Sequence, residues 1–514
     1  MPTINDMRAN LATSIGVATA AALLLPLAPH ATATGDPAPV RASGATGKPA
    51  EARMSGGTQS LGFTTGDATA RGAAADPGTR EIGARTVRPY AMLGVVWDRG
   101  DEELHGTVQV RTRDAGTGRW SGWHELDSHP GDAPGAETPE TPGDEVRGAT
   151  APLWVGDSDG VQARILSERA TGRALAGHHH AAPPTGQRRA GQPKGAAALP
   201  GTLPKGLRLE LIDPGPEPAA PETPAQSAPA SPASPPAPST PPKPDASASS
   251  AGGGAAVGPK STAGEAAPAG SAAGAAGAAD NREQLAAAQV ASGAALPALS
   301  QQATAAEYAS TRPFIGPRPR IVTRKGWGAD ERIRETGHAY TKSVRVAFVH
   351  HTAMSNNYRC AQAPSIIRGM YRYHVLSSKW RDIGYNFLVD KCGTVYEGRS
   401  GGVAKPVMGA HTYGFNTNST GIAVLGSYDK ASPPAAAVDA ISRLTAWKLG
   451  LFGVNPGGTT TLVSGGGTKY KKGKTVRFHT ISGHRDGYNT ACPGARLYGK
   501  LGAARTGAAR AQGR

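Results

Sequence analysis

Along this chain the apolar positions fall into two textures. Between residues 85 and 213 they come in short runs: Tyr90 to Trp97 is apolar, Thr107-Val-Gln-Val-Arg111 alternates strictly, and Trp120 to Leu126 follows a turn. Pro152 to Val155, Val161 to Ile165 and Leu207 to Leu211 repeat the pattern. A period of two, punctuated by Gly and Asp and free of helical spacing, predicts an antiparallel β-sandwich-like module or a similar barrel. Trp97, Trp120, Trp123 and Trp154 all fall here, and core packing is the first account of them, ahead of a sugar-binding surface. After residue 314 strands and helices alternate instead. Val344 to Val349, Asn386 to Val389, Thr394 to Glu397, Ile422 to Leu425 and Val476 to Phe478 read as strands, the second and third joined as a hairpin. Pro364 to Val375 carries Ile366, Ile367, Met370, Tyr371 and His374 at helical spacing, and Ala435 to Leu451 does the same with Val438, Ile441, Leu444 and Leu449. The prediction is an α/β domain, a mixed β-sheet flanked by helices, at the C-terminus.

Gly and Pro, 69 and 43 of 514 residues, imply long unfolded connections. The chain therefore divides into a signal peptide at 1–33, a disordered stretch at 34–84, the all-β module at 85–213, a linker at 214–310, the α/β domain at 314–502 and a disordered basic tail at 503–514. The module carries a disordered insertion at 168–205, in which His178, His179 and His180 read as solvated. The linker is rich in Pro, Ala, Ser and Gly and reads as an extended spacer between two independently folding units. At the start, Arg8 precedes an apolar run from Ile15 to Leu27 that ends in Ala31-Thr-Ala33, the pattern of a cleaved export signal. The run is shorter than the ~20 apolar residues that span a bilayer, so no transmembrane anchor is expected after cleavage. The expected location is secreted or at the cell wall.

The net charge of +16 is unevenly placed. From Thr311 onward there are 31 Lys and Arg against 9 Asp and Glu, which leaves 24 against 30 for residues 1–310. A basic domain attracts any polyanion. Outside the cytoplasm nucleic acid is not the expected partner, and anionic cell-wall polymers are.

The candidate chemistry is concentrated in Ile481 to Pro493, ISGHRDGYNTACP, which sets His484 and Cys492 eight residues apart. Imidazole and thiolate are both zinc ligands, and a hydrolytic zinc site takes three protein ligands and keeps one position open. The third ligand is sought in the His350, His351 pair, at the end of a strand. The segments VHHTA, Trp380-Arg-Asp-Ile-Gly-Tyr-Asn-Phe387, Gly393 to Arg399, Gly409-Ala-His411, Asn418 to Gly426, GHRD and ACPG follow one another in order. In that order and spacing, residues 320 to 498 resemble the peptidoglycan recognition proteins and the bacteriophage lysozyme-type N-acetylmuramoyl-L-alanine amidases.

This resemblance implies a Zn2+ site of His350, His484 and Cys492, with Tyr385 and Thr490 at the reaction centre and His351, His374, His411 and Asn416 in a peptidoglycan groove. If Cys492 is a zinc ligand, Cys360 and Cys392 remain to form a disulfide, although parity alone allows any two of the three to pair. The implied reaction cuts the amide between the lactyl group of N-acetylmuramic acid and L-alanine. The alternative is a protein that binds peptidoglycan without cutting it.

Overall fold

In the computed structural model the described residues are 56–65, 79–128, 131, 133–135, 146–167, 203–216, 292–308 and 313–514. The expected signal peptide, the three adjacent histidines and most of the linker lie outside them. The N-terminal module holds β1 (Thr58–Gly62), β2 (Thr64–Thr65), β3 (Thr79–Trp97), β4 (Gly106–Asp114), β5 (His124–Leu126), β6 (Gly148–Ala149), β7 (Leu153–Ser167) and β8 (Arg208–Ile212). They make an antiparallel sheet in the order β1-β8-β3-β7-β4-β5, with β2 and β6 also paired to β3. Alternate residues turn inward, as the period of two requires: Val108, Val110, Val161, Ala163, Ile165, Leu209 and Leu211 build one core with Leu93, Val95 and Trp97.

Two expectations change here. The stretch at 34–84, expected to be disordered, supplies β1, β2 and the start of β3. Backbone pairing of β1 with β8 recruits a segment whose apolar content is one leucine, Leu61. The tryptophans also divide. Trp97 and Trp154 are buried, whereas Trp120 and Trp123 are each 36% exposed beneath the guanidinium groups of Arg111 and Arg164.

The C-terminal domain contains β9 (Ala295–Leu296), β10 (Ile321–Val322), β11 (Val346–His351), β12 (Phe387–Val389), β13 (Val395–Glu397), β14 (Ser419–Val424), β15 (Thr459–Val463), β16 (Thr475–His479) and β17 (Ile481–Gly483). Seven of them form a mixed sheet in the order β17-β11-β14-β12-β13-β10-β9, and β15 and β16 make a separate hairpin. The helices of more than one turn are α1 (Gln301–Glu307), α2 (Ala363–Arg372), α3 (Ala435–Gly450) and α4 (Leu501–Ala511). On β11 and β14, Ala347, Val349, Ile422 and Val424 face α3 and α4 in one core, while Ala423 faces α2 in the other. The same alternation sends His350 to the α2 side of the sheet, next in line after Val346 and Phe348.

Both ends of this domain depart from expectation. The end of the expected linker forms β9, paired antiparallel with β10, and α1, whose Ser300 side chain caps Ala303 N. The expected disordered tail is α4, with Leu501, Ala504 and Ala508 buried on one stripe against α3. Alanine at that spacing buries a helix face without the large side chains that mark one in a sequence.

The two parts do not fold apart from each other. One core joins Met92, Val96, Trp154 and Ile212 of the module to Ile366, Ile367, Met370, Tyr371 and Tyr373 of the domain. Polar contacts fix the register of this packing. The Tyr373 hydroxyl lies 3.1 Å from both Val95 O and Thr150 O, Arg368 donates to Pro214 O at 3.3 Å, and Arg372 donates to Gly56 O. Gly94 is obligatory at the contact, because a Cβ there would come within 2.4 Å of the Tyr373 hydroxyl. Tyr373→Phe strands a buried carbonyl and is expected to cost about 1–3 kcal/mol. Gly94→Ala forces the two surfaces apart and is expected to cost at least as much. Thermal melting of the full-length variants checks both, and an unchanged melting point for either would contradict the packing described.

Candidate metal centre

Three segments bring the candidate ligands together. The end of β11 carries His350, the single helical turn His484–Gly487 after β17 carries His484, and the following loop carries Cys492. Because β11 and β17 are parallel neighbours, both histidines leave the sheet at the same end. Their rings are 4.5 Å apart between centroids, and Cys492 Sγ is 3.8 Å from His350 Nδ1. One donor atom from each of the three lies within 4.8 Å of the other two. A tetrahedral zinc with bonds of ~2.0–2.3 Å needs donors ~3.3–3.6 Å apart, so this set fits the ion with small adjustments. The other convergent group among the described residues, Cys360, Asp390 and Cys392, is taken up by a Cys360–Cys392 disulfide across 32 residues, whereas Cys492 is buried and outside any disulfide.

Surrounding groups set the direction of each imidazole. His350 Nε2 lies 3.4 Å from Thr412 Oγ1, which also lies 3.0 Å from His411 Nδ1, leaving His350 Nδ1 toward Cys492. Such outer partners fix the orientation of a ligand ring. His351 does not join the set. Its backbone N–H donates to Cys492 Sγ at 3.4 Å, and its Nδ1 accepts from Tyr428 N at 3.2 Å. His374 Nδ1 likewise accepts from Gly384 N at 3.2 Å, while its ring stacks on Trp380 at 4.3 Å. With Nδ1 accepting, a neutral ring carries its proton on Nε2. Burial keeps His350 and His374 neutral, pushing their pKa values down to about 3, and holds His411 well below its ordinary value.

A cavity of about 730 Å³ opens onto this centre. His351, His374, Tyr385, His484, Thr490 and Cys492 line it. His411 and Asn416, expected in the groove, are fully buried and do not line it. Asn416 Oδ1 accepts from the backbone N–H groups of His411 and Thr412, so it holds the loop, and His411 stands behind Thr412 and His350. Thr490 Oγ1 accepts from Cys492 N at 3.1 Å, and the Tyr385 ring sits 5.3 Å from that of His350. Reading the sequence missed Thr412 and Tyr428, which orient the histidines; the adjacency of Thr412 to His411 was the available signal for the first. It also missed the module's contribution to the cavity, which includes Arg147, Thr150 and Gly135.

Residues 340–495 match the family model for N-acetylmuramoyl-L-alanine amidase, and residues 38–194 match a model described as Rv3811 N-terminal galactose-binding domain-like. The chain is 31% identical over 183 residues to peptidoglycan-recognition protein SC2 of Drosophila simulans, covering 35% of this chain and 84% of that protein. It is 32% identical over 208 residues to N-acetylmuramoyl-L-alanine amidase of Homo sapiens, covering 40% of this chain and 31% of that one. Among solved structures, wild-type Drosophila PGRP-LB aligns at 27% identity over 35% of this chain and 92% of that chain, with a TM-score of 0.28.

The depressed pKa of His374 has a consequence for stability. Its folded value of about 3 lies below the unfolded ~6.5, so between those values the unfolded chain binds the extra proton and stability falls as pH drops. His374→Gln is expected to make the melting temperature of the chelator-treated chain less steep in pH between ~6.5 and ~4, by about one proton. A slope identical to that of the parent would show that His374 is not held neutral.

Proposed function

We propose that this chain, which belongs to the family of peptidoglycan-recognition proteins and N-acetylmuramoyl-L-alanine amidases, is an exported zinc-dependent N-acetylmuramoyl-L-alanine amidase. Its substrate is the amide between the lactyl group of N-acetylmuramic acid and L-alanine of the stem peptide. The observation that carries the reading is the convergence of His350, His484 and Cys492 beside a cavity that His484 and Cys492 line together with Tyr385 and Thr490. A zinc ion held by these three lowers the pKa of water and polarises a carbonyl, the two things an unactivated amide needs.

The chain's own residues supply the rest. A phenol is a poor base at neutral pH, and Tyr385 serves to orient the attacking water. The Thr490 oxygen is already engaged by the Cys492 amide, so its proton is left to donate to the oxyanion that develops on the scissile carbonyl. His351 and His374 present Nε2–H donors to substrate carbonyls. His411 acts through Thr412 on the orientation of His350. The excess basic charge after residue 311 fits retention on anionic wall polymers, and no helix among the described residues is long and apolar enough to cross a membrane.

Purified full-length protein is expected to bind one zinc per chain and to release L-alanine amino groups from peptidoglycan, with a chelator stopping release. Cys492→Ala is expected to lose both metal and turnover. Tyr385→Phe is expected to keep the metal and lose roughly 10²–10³ in kcat. His411→Ala is expected to weaken metal retention, measured by competition with a chromogenic chelator. Tight binding of peptidoglycan with no amino-group release at any zinc concentration would establish the binding-only alternative.

A further inference from the structure

The cavity at the metal centre has two walls, and one of them is not part of the C-terminal domain. Arg99, Asp101, Glu103, Asp127 and the segment Val146 to Pro152 come from the N-terminal module. The described residues of its turn reach the loop beside the candidate ligands: Gly131 O accepts from Tyr413 N at 3.2 Å, and Ala133 O accepts from Asn416 Nδ2 at 3.4 Å. A Cβ on Gly131 would lie 2.8 Å from the His484 ring and 2.5 Å from Tyr488. The space left between the walls remains in the range of clefts that bury a small ligand, so the module narrows the site without filling it.

At one end of this wall stands Arg147. Its backbone N–H donates to Ser378 O at 3.1 Å and its guanidinium to Ser377 O at 3.4 Å, while the next two residues form β6 and pair with β3. The side chain is thus carried on a strand and clamped to the opposite wall. His374, Ser378 and Trp380 line the cavity with it: Ser378 Oγ and Trp380 Nε1 are buried without a hydrogen-bond partner among the described residues, and His374, whose Nδ1 accepts from Gly384 N, has its proton left for Nε2. The charges that act on Arg147 are Arg208, Glu210 and Asp98. Glu210 is engaged by the Ser60 and Ser377 hydroxyls, and Asp98 by Arg208. The acidic residues of the wall lie elsewhere, Asp101 paired with Arg99 and Glu103 acting on Tyr488. Donors beside a guanidinium suit a ligand group that only accepts and carries negative charge, which on a stem peptide is a carboxylate.

We propose that the N-terminal module is a wall of the substrate cleft and that Arg147 on it is a specificity-determining residue for a carboxylate of the stem peptide. This rests on the function proposed above, since a peptide joined to the lactyl group through its N-terminal alanine ends in a carboxylate unless it is amidated.

The test is calorimetric binding of an N-acetylmuramyl tripeptide, as free acid and as C-terminal amide, to the full-length chain kept under chelator so that no turnover intervenes. Wild type is expected to favour the acid by about tenfold, the size of a charge-assisted hydrogen bond. Arg147→Met is expected to abolish the preference and Arg147→Lys to keep part of it, each judged only where its melting point matches the parent. A preference that survives in Arg147→Met, or one lost equally in Arg147→Lys and in the unrelated exposed variant Arg443→Met, would overturn the assignment. If neither peptide binds wild type, the peptidoglycan reading fails and this inference fails with it. If both bind wild type equally, the peptidoglycan reading stands and this inference alone fails.

Discussion

Helix α2 is packed on both sides, and that constraint organises everything near the metal centre. A helix that covers one sheet needs one apolar stripe and can stay polar elsewhere. Here Ile366, Ile367 and Met370 are buried together with Arg368, Gly369 and Tyr371, because the module's sheet covers the side that solvent would otherwise reach. The burial is tolerable because Arg368 finds carbonyls at Trp327 and Pro214 and a hydroxyl at Ser365. From the end of α2 the chain runs through a π-helical segment, Tyr373–Ser377, that delivers His374 to the cavity and Tyr373 to the module. One segment thereby ties a cavity-lining group to domain docking.

The centre itself follows from a second economy of placement. Parallel neighbours in a sheet end on the same edge, so β11 and β17 deliver His350 and His484 side by side, and only Cys492 has to come from a loop. Burial keeps His350 neutral, which leaves a nitrogen lone pair available to a cation. Part of the basic charge of this half of the chain is buried, at Arg324, Arg368, Arg399 and Lys448, and part lies on its surface, where Lys471, Lys472 and Lys474 are exposed on the β15–β16 hairpin.

How much of this was legible in the sequence depends on what each signal encodes. Strands with large alternating side chains, such as those around Val108 and Val349, announced themselves, and the ligand histidines and Cys492 stood out by residue type. Segments held by backbone pairing or by small side chains did not: Ala295 and Leu296 look like linker, Leu61 sits alone in β1, and Ala504 and Ala508 of α4 look like tail. Periodicity reports that a face is buried, not what buries it. For that reason Tyr373 and Gly94 gave no hint of each other, and the burial of His411 and Asn416 behind the cavity wall could not be read from their motifs.

The shared core changes the meaning of the residues that join the two halves. Residues 216 and 292 both belong to the unit that spans Ala52–Arg514, so the segment between them closes a loop on a structure already in contact with itself. Closing such a loop costs free energy that grows only with the logarithm of its length, roughly 0.6 kcal/mol for each doubling. By that relation alone, a longer connection adds little to the cost of closing it. Two pieces divided between residues 216 and 292 would still share the core of Met92, Trp154, Tyr371 and Tyr373. On a denaturing gel such a molecule would be two chains, and in solution it would still be one particle.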